Sequence, residues 1–523
     1  MRAPSDEAHI RSRNEAVPCT AAAQPWILAA TILGSSMAFI DGTVVNVALP
    51  VLQTTFHATV VDVQWVVESY GLFLSSLILA GGALGDLFGR RRVFLIGVGI
   101  FAVASAACGL ASSVLELIIA RSVQGLGAAL LVPGSLAIIG ASFDEKSRGK
   151  AIGTWSGFTA ITTALGPVMG GWLIQHGSWR WAFYLNLPLA AAVMAISLWR
   201  VPESRSSQAQ HIDWLGALLA TAGLGGIVTG FLESTKSGWD NPLVLVSLAG
   251  GVLCLVLFIR VEVKAPTPMV PPELFKSRSL LGANLVTLFL YAAIGVSFFL
   301  FPMNLIRVEG YSTTAAGAAA LPMILLMFLL SRWSGGLVNR YGARIPLIVG
   351  PLVVAIGFVL FAAIPTGNSY WKTFFPAFLV LGLGMAVTVA PLTTVVMSSA
   401  GEEHVGAASG LNNAVARVAG VLAIAVFGII MVKAFSSRLE QSLKNLQLPQ
   451  NIVKDIQSKE IELASLELPS GLDANDVAAI RRTISEAFRS GYRLVLLSCA
   501  GLAAASTLVA WRLISSRRQI REQ

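Results

Sequence analysis

The sequence predicts an all-α polytopic membrane protein of about fourteen transmembrane helices, arranged as two six-helix bundles with two extra helices between them. Three observations lead there. Of 523 residues, 55% are hydrophobic and only 12% charged, about half the charged share of a soluble protein, and mean hydropathy is +0.72. Apolar runs of about 20 residues recur along the chain, the length a helix needs to cross a bilayer that offers backbone N–H and C=O groups no partner. Lysine and arginine fall mainly in alternate connecting segments.

Residues 1–25 form a polar tail of mixed charge, without the short apolar core and cleavage site of a signal peptide. The first apolar run therefore reads as an uncleaved span. Spans are expected at 26–49, 64–85, 93–111, 117–140, 149–173 and 181–199, which make the N-terminal bundle, 26–199. The linker, 200–278, holds spans at 212–232 and 241–260. The C-terminal bundle, 279–513, holds spans at 279–302, 313–333, 345–365, 374–398, 406–432 and 492–513, and 514–523 is a tail. Residues 433–491 are too polar for lipid and read as an outer loop. Within it, Ser437 to Leu446 and Asn475 to Arg489 have the pattern of amphipathic helices, with Asp473 or Asn475 as a cap.

Charge placement sets the orientation. With the N-terminus in the cytoplasm, inner segments hold Arg90, Arg91, Arg92, Lys146, Arg148, Lys150, Lys276, Arg278, Arg340 and Arg344. The short outer loops hold only Arg180, Lys236, Arg307 and Lys372. Both termini are then cytoplasmic, which suits an even number of spans in a bacterial inner membrane. The net charge of +9 is thus a topology signal, and nucleic acid is not an expected partner. The four cysteines (Cys19, Cys108, Cys254, Cys499) have no metal-ligand spacing.

An internal repeat supports two related halves. Gly82-Ala83-Leu84-Gly85-Asp86-Leu87-Phe88-Gly89-Arg90-Arg91 and Gly335-Gly336-Leu337-Val338-Asn339-Arg340-Tyr341-Gly342-Ala343-Arg344 share Gly, Leu, Gly and Arg at matching places. Each lies between the second and third spans of its half. Halves of this kind are how many secondary transporters frame a central site. Gly82, Asp86, Gly89, Arg90 and Arg91 are candidates for a conformational latch, with Asp86 placed to accept from a neighbouring helix N-terminus. The plain alternative is a positive-inside turn.

The Gly82–Arg92 segment resembles the signature loop of the major facilitator superfamily, with Leu87 where Arg is frequent. The run from Asp41 to Pro50 resembles the first-helix motif of that superfamily's fourteen-helix drug:proton antiporter branch (EmrB/QacA type). Arg121 to Ala129 is similar to its fourth-helix motif. Gly166, Pro167, Gly170 and Gly171 are similar to its fifth-helix antiporter motif, whose usual leading glycine is Thr162 here. Trp179 to Pro188 also resembles a segment of that branch. The resemblance implies a major facilitator fold, a fifth helix at the interface of the halves, and a proton-coupling role for Arg121.

Charges inside the membrane are costly and point to function. By helical rise Asp41, Glu68 and Arg121 lie about 12, 6 and 7 Å from the outer ends of their spans. Asp41 is the leading proton site and Glu68 the second; the structural alternative is a permanent Asp41–Arg121 pair. The C-terminal half has Arg417 about 16 Å into its span, after Asn412 and Asn413. Asn413 and Arg417 share a helix face. With Asn46 they are candidates for the cavity wall or for a polar or anionic substrate group; hydrogen bonding between helices is the alternative.

No phosphate loop, HExxH or nucleophile elbow is present, so neither an enzyme nor an ATP-driven pump is expected. The expectation is a proton-coupled exporter of amphipathic or cationic drugs, or of a hydrophobic metabolite, working by alternating access without a cofactor. Its partners are the lipid bilayer, a small amphipathic substrate and protons, with a periplasmic adaptor protein as a further candidate. The alternatives are a lipid or siderophore-like exporter on the same scaffold, and a non-transporting receptor or partner-binding protein working through 433–491.

Overall fold

The computed structural model describes residues 22–515 apart from 144, 206–212, 266–267, 269–271, 365–368, 400–404, 445, 447–448, 459, 467 and 469–472. Most of both predicted tails and the Asn339 side chain lie outside the described residues. The first half begins with α1 (Gln24–Phe56), α2 (Val60–Phe88), α3 (Arg90–Leu110), α4 (Val114–Ser142) and α5 (Glu145–His176). Its last span, Trp181–Arg200, comprises α6 (Trp181–Tyr184) and α7 (Asn186–Arg200), with helical backbone continuing through Leu185 between them. The linker pair is α8 (Trp214–Ser237) and α9 (Pro242–Lys264). The second half comprises α10 (Arg278–Met303), α11 (Thr313–Ala318), α12 (Leu321–Tyr341), α13 (Arg344–Ala362), α14 (Phe374–Ser398), α15 (Val405–Leu443), the short α16 (Gln450–Ser458) and α17 (Ala474–Leu513).

Among the described residues, thirteen helices are long and apolar enough to cross a membrane, and α2, bent by 52° after Ile78, supplies a fourteenth span. Local sequence explains where helices start. Thr59 and Asp62 close a reciprocal capping box at α2, and the hydroxyls of Ser113, Ser277 and Ser312 accept from the first turns of α4, α10 and α11. One irregularity follows from proline. Pro302 removes one N–H near the end of α10, and the chain continues as a π turn over Asn304–Val308.

The segment after the thirteenth span differs from expectation. The stretch from Ser437 does not form a separate helix: α15 runs unbroken to Leu443, and α17 begins at Ala474 and carries Asn475 to Arg489 within the same helix as the last span. Buried Phe435, Leu439, Ile480, Ala487 and Phe488 explain this, because the apolar stripe of each span continues into its extension. Asp473 holds the cap position of α17 without a side-chain bond. Between the extensions, α16 and a 3-10 turn at Glu460–Ser465 complete a cap over one face of the molecule. This is the cap face; the opposite end, with Arg90 to Arg92, is the basic face.

In the first half, α2 and α3 pack on α4, and α1 packs on α5. The linker helices pack on each other where Gly223, Gly226, Gly230 and Gly251 leave room, and α8 leans on both α2 and α15. Leu245, Val246, Val252 and Leu253 of α9 face outward, as lipid contact requires.

The two halves meet toward the cap face. Arg307 donates to the Pro50 carbonyl, Gln64 Nε2 to the Ile424 carbonyl at 3.2 Å, and Thr313 Oγ1 to the Gly171 carbonyl at 2.9 Å. From the cap, Gln53 Nε2 reaches the Glu462 carbonyl at 3.5 Å. The tightest joint is α5 against α11. A Cβ on Gly317 would run into the Pro167 carbonyl, and one on Gly171 into the backbone of Thr313. Gly166 and Gly170 meet Thr43 and Val44 of α1 in the same way. The small-residue motif of α5 therefore brings together α1 of its own half and α11 of the other. Gly171→Val should hold the halves apart at the cap face, abolishing most transport while leaving the amount of monodisperse protein extracted from membranes unchanged. Transport assays on the purified variant check this, and wild-type flux would contradict it.

Candidate functional site

Asp41, midway along α1, is fully buried, and so is Arg121 of α4. Arg121 Nη1 is paired with Asp41 Oδ2 and also donates to Gln124 Oε1 at 2.8 Å, while its Nε donates to the Val66 carbonyl of α2 at 3.1 Å. Asp41 Oδ1 accepts from Gln124 Nε2 at 2.8 Å and from Asn186 Nδ2 at 3.1 Å. Asn186 also donates to Ser105 Oγ at 2.9 Å, which donates to the Phe183 carbonyl at 2.8 Å. The guanidinium carbon stands 4.2 Å from the Tyr70 ring centroid, and Tyr70 Oη donates to the Ala38 carbonyl at 3.0 Å. One ion pair thus ties together α1, α2, α3, α4, α6 and α7. Asp41 and Arg121 thus stand as a buried, hydrogen-bonded pair, an arrangement common to the proton-site reading and its structural alternative. Sequence reasoning gave Gln124, Ser105 and Tyr70 no role. Gln124 had a signal in helical spacing, one turn from Arg121; Ser105 and Tyr70 lie on other helices, where spacing gives none.

Glu68 is brought elsewhere. It is fully buried on α2, and among the described residues neither carboxylate oxygen has a hydrogen-bond partner. Gln64, Glu68 and Gly71 share one face of α2. Gln64 bonds the Ile424 carbonyl, and a Cβ on Gly71 would lie 3.0 Å from Val421. Glu68 therefore sits between these two contacts, on the face that α2 turns to α15. It lies at the seam between the halves, whereas Asp41 lies within one of them.

At the basic face the segment read as a loop is mostly helix. Gly82 to Phe88 belong to α2, and only Gly89, at φ +110°, turns the chain into α3. Gly342, at φ +75°, makes the matching turn between α12 and α13, which is what the internal repeat encodes. Asp86 does not cap a neighbouring helix; it accepts from Arg90 Nε at 2.8 Å, one turn on. The anion at the start of α3 is Glu203, which accepts from the backbone N–H of Arg91 and Arg92, each at 3.1 Å. Arg91 Nη1 donates to the Val201 carbonyl at 3.1 Å. A Cβ on Gly89 would lie 2.7 Å from Glu203 Oε1, so glycine is needed there for space as well as for φ. Asp86, Arg90, Arg91 and Glu203 thus join α2 and α3 to the start of the linker.

In the second half the two asparagines separate. Asn412 Nδ2 donates to Thr287 Oγ1 at 2.7 Å and to Asn284 Oδ1 at 3.1 Å, joining α15 to α10. Asn413 is exposed and donates to the Ser409 carbonyl of its own helix. Arg417 crosses to the first half, its guanidinium carbon 5.8 Å from the Phe39 ring centroid on α1. Asn46, half-buried on α1, keeps a buried Oδ1 without a partner among the described residues.

The Asp41–Arg121 geometry has a measurable consequence. Asp41→Asn or Arg121→Gln alone leaves a buried charge uncompensated and should destabilise the protein by about 3–5 kcal/mol. The double substitution should cost less than the sum of the two singles. Thermal unfolding in detergent checks this; additive losses would mean that the two groups do not act as a pair.

Residues 31–424 match the Major Facilitator Superfamily. The chain is 33% identical over 500 residues to the multidrug resistance protein Stp of Mycobacterium tuberculosis, covering 93% of this chain and 91% of that one. It is 31% identical over 497 residues to the tetracenomycin C resistance and export protein of Streptomyces glaucescens, with coverage of 93% and 91%. To the methylenomycin A resistance protein of Bacillus subtilis it is 33% identical over 409 residues, covering 77% and 87%. Among solved structures it is similar to a bacterial homolog of the human lysosomal transporter Spinster, in an inward-facing and unoccupied conformation. That likeness has a TM-score of 0.67, 17% identity, and coverage of 95% of this chain and 99% of the other; it speaks to the fold. Relatives that follow the sequence almost end to end, and a match across both bundles, make this chain a member of the Major Facilitator Superfamily.

Proposed function

We propose that this protein is a proton-coupled exporter of amphipathic drugs or of a hydrophobic metabolite. It works by alternating access in a bacterial inner membrane, with the basic face and both termini in the cytoplasm. The names of its relatives, which describe resistance and export, support the substrate class. Positive charge at the basic face supports the orientation.

The observation that carries proton coupling is the contrast between two buried acids. Asp41 accepts from Arg121, Gln124 and Asn186, so its negative charge is matched where it stands. Among the described residues Glu68 has no donor and no ion-pair partner, and an ionised carboxylate in that setting is costly. In this reading Glu68 holds the coupled proton while the halves are joined at the cap face. Separation of α2 from α15 wets Glu68, and the proton exchanges with the outside. Arg121 and Asp41 keep the first bundle rigid during the swing. The corner at Gly89, with Asp86, Arg90, Arg91 and Glu203, carries the same motion into the linker. The proton gradient is the energy source.

Efflux of a fluorescent amphipathic drug from proteoliposomes should follow an imposed pH gradient and stop when an ionophore dissipates it. Glu68→Gln should retain gradient-independent exchange of the drug across the vesicle wall but lose its response to the gradient. Efflux indifferent to the gradient in the unmodified protein would contradict proton coupling, and a gradient-driven Glu68→Gln variant would remove Glu68 from it.

A further inference from the structure

We propose that Arg417 anchors the substrate site and receives the acidic head group, a carboxylate or phenolate, of an aromatic amphipath whose flat body lies against Phe39. The inference rests on the exporter reading above and narrows its substrate class.

Arg417 lies deep in α15. Its Nε is buried without an acceptor, and among the described residues it has neither a hydrogen bond nor a carboxylate partner. The contrast with Arg121, held by a carboxylate, an amide and a carbonyl, is complete. Across the seam between the halves Arg417 faces the Phe39 ring and lies within electrostatic reach of Tyr70, whose hydroxyl is bonded to the Ala38 carbonyl. A lone guanidinium in a low-dielectric seam is costly, and an anion placed on it gains more than it would in water. The fork of N–H donors matches a carboxylate in geometry as well as charge. Phe39 already offers its face to the cation and offers the same surface to a flat ring.

Glu68 is not the missing partner. Gly71 and Val421 stand at one level of the α2–α15 contact. Glu68 lies three residues from that level toward the cap face and Arg417 four residues toward the basic face, about 10 Å apart along the helices. Asp41 is taken by Arg121. Access to Arg417 comes from the basic face, since the α2–α15 contact at Gly71 and Gln64 lies on its cap side. Asn413, one turn toward the basic face on the same helix face, is exposed and keeps its amide oxygen for a ligand hydroxyl or amine. An acid entering from the cytoplasm meets Asn413 first and Arg417 at the closed end.

The acidic group that fits Arg417 has two sources, a soluble amphipath or the phosphate of a membrane lipid, and the proposal commits to the first. The test uses pyrene butyrate and the matched neutral alcohol, pyrene butanol, binding to purified full-length protein in nanodiscs of phosphatidylcholine. The unmodified protein should prefer the acid. Arg417→Gln should weaken the acid by at least about tenfold, leave the alcohol within about twofold, and melt no lower than the unmodified protein, because an unpaired, half-buried charge has been removed. Arg417→Lys should retain part of the preference. Equal binding of the acid by the unmodified protein and Arg417→Gln would overturn the proposal. So would displacement of the bound acid by a short-chain phosphatidylglycerol from the unmodified protein with no such competition in Arg417→Gln, which would assign the site to lipid phosphate. The exporter reading fails separately: it falls if neither probe is moved by a pH gradient in proteoliposomes of the unmodified protein, whatever the binding experiment shows.

Discussion

Burying the charge of Asp41 and Arg121 in the membrane interior is the constraint on which the first bundle depends. Two ions taken out of water need good geometry and further donors. Gln124, Asn186 and the Val66 carbonyl supply these from three other helices. Each satisfied bond fixes one helix against the next. The bundle becomes a unit that moves as a whole, because bending any member strands part of a buried network. Asn186 brings its side chain into the network from the sixth span, whose backbone stays helical through Leu185.

The seam between the halves is built on the opposite principle. Its close contacts are glycine against backbone and apolar side chains, together with a few bonds from single residues such as Gln64, Thr313 and Arg307. Such a surface separates without leaving a charge pair broken. Among the described residues it leaves Glu68 unmatched toward the cap face and Arg417 Nε toward the basic face; in the function proposed above, a proton and a ligand reach them as the seam opens on one side or the other. A rigid bundle and a seam with two unmatched polar groups are together what alternating access needs: a body that moves whole, and binding groups whose exposure changes when it does.

Much of this was legible in the residues. Apolar length and the Lys/Arg bias specify the spans, and the repeated Gly-Leu-Gly-Arg pattern marks the two corners at Gly89 and Gly342. The glycines of α5 permit close helix approach, and the family resemblance implies that the approach is at the interface of the halves. Asp41 and Arg121 stand out because charge is rare in lipid. Other features depend on tertiary contact that spacing does not reveal. Glu203 follows the last span of its bundle, and nothing local indicates that its carboxylate reaches the N-terminus of α3. Asn412 and Asn413 are adjacent, yet one joins two helices and the other is exposed, since neighbours on a helix point about 100° apart. The polar run from Ser437 looks like a separate amphipathic helix because composition changes there, while the backbone and the buried stripe continue. Burial alone also left Asp41 and Glu68 alike, and only their partners distinguish them.

That distinction is the centre of the account, and infrared spectroscopy reads it directly. The carbonyl stretch of a protonated carboxyl group in the membrane-embedded protein, at a pH where exposed acids are ionised, should be present in the unmodified protein. It should persist in Asp41→Asn and vanish in Glu68→Gln. A band that survives Glu68→Gln and disappears in Asp41→Asn would place the proton on the ion-paired acid and contradict the account.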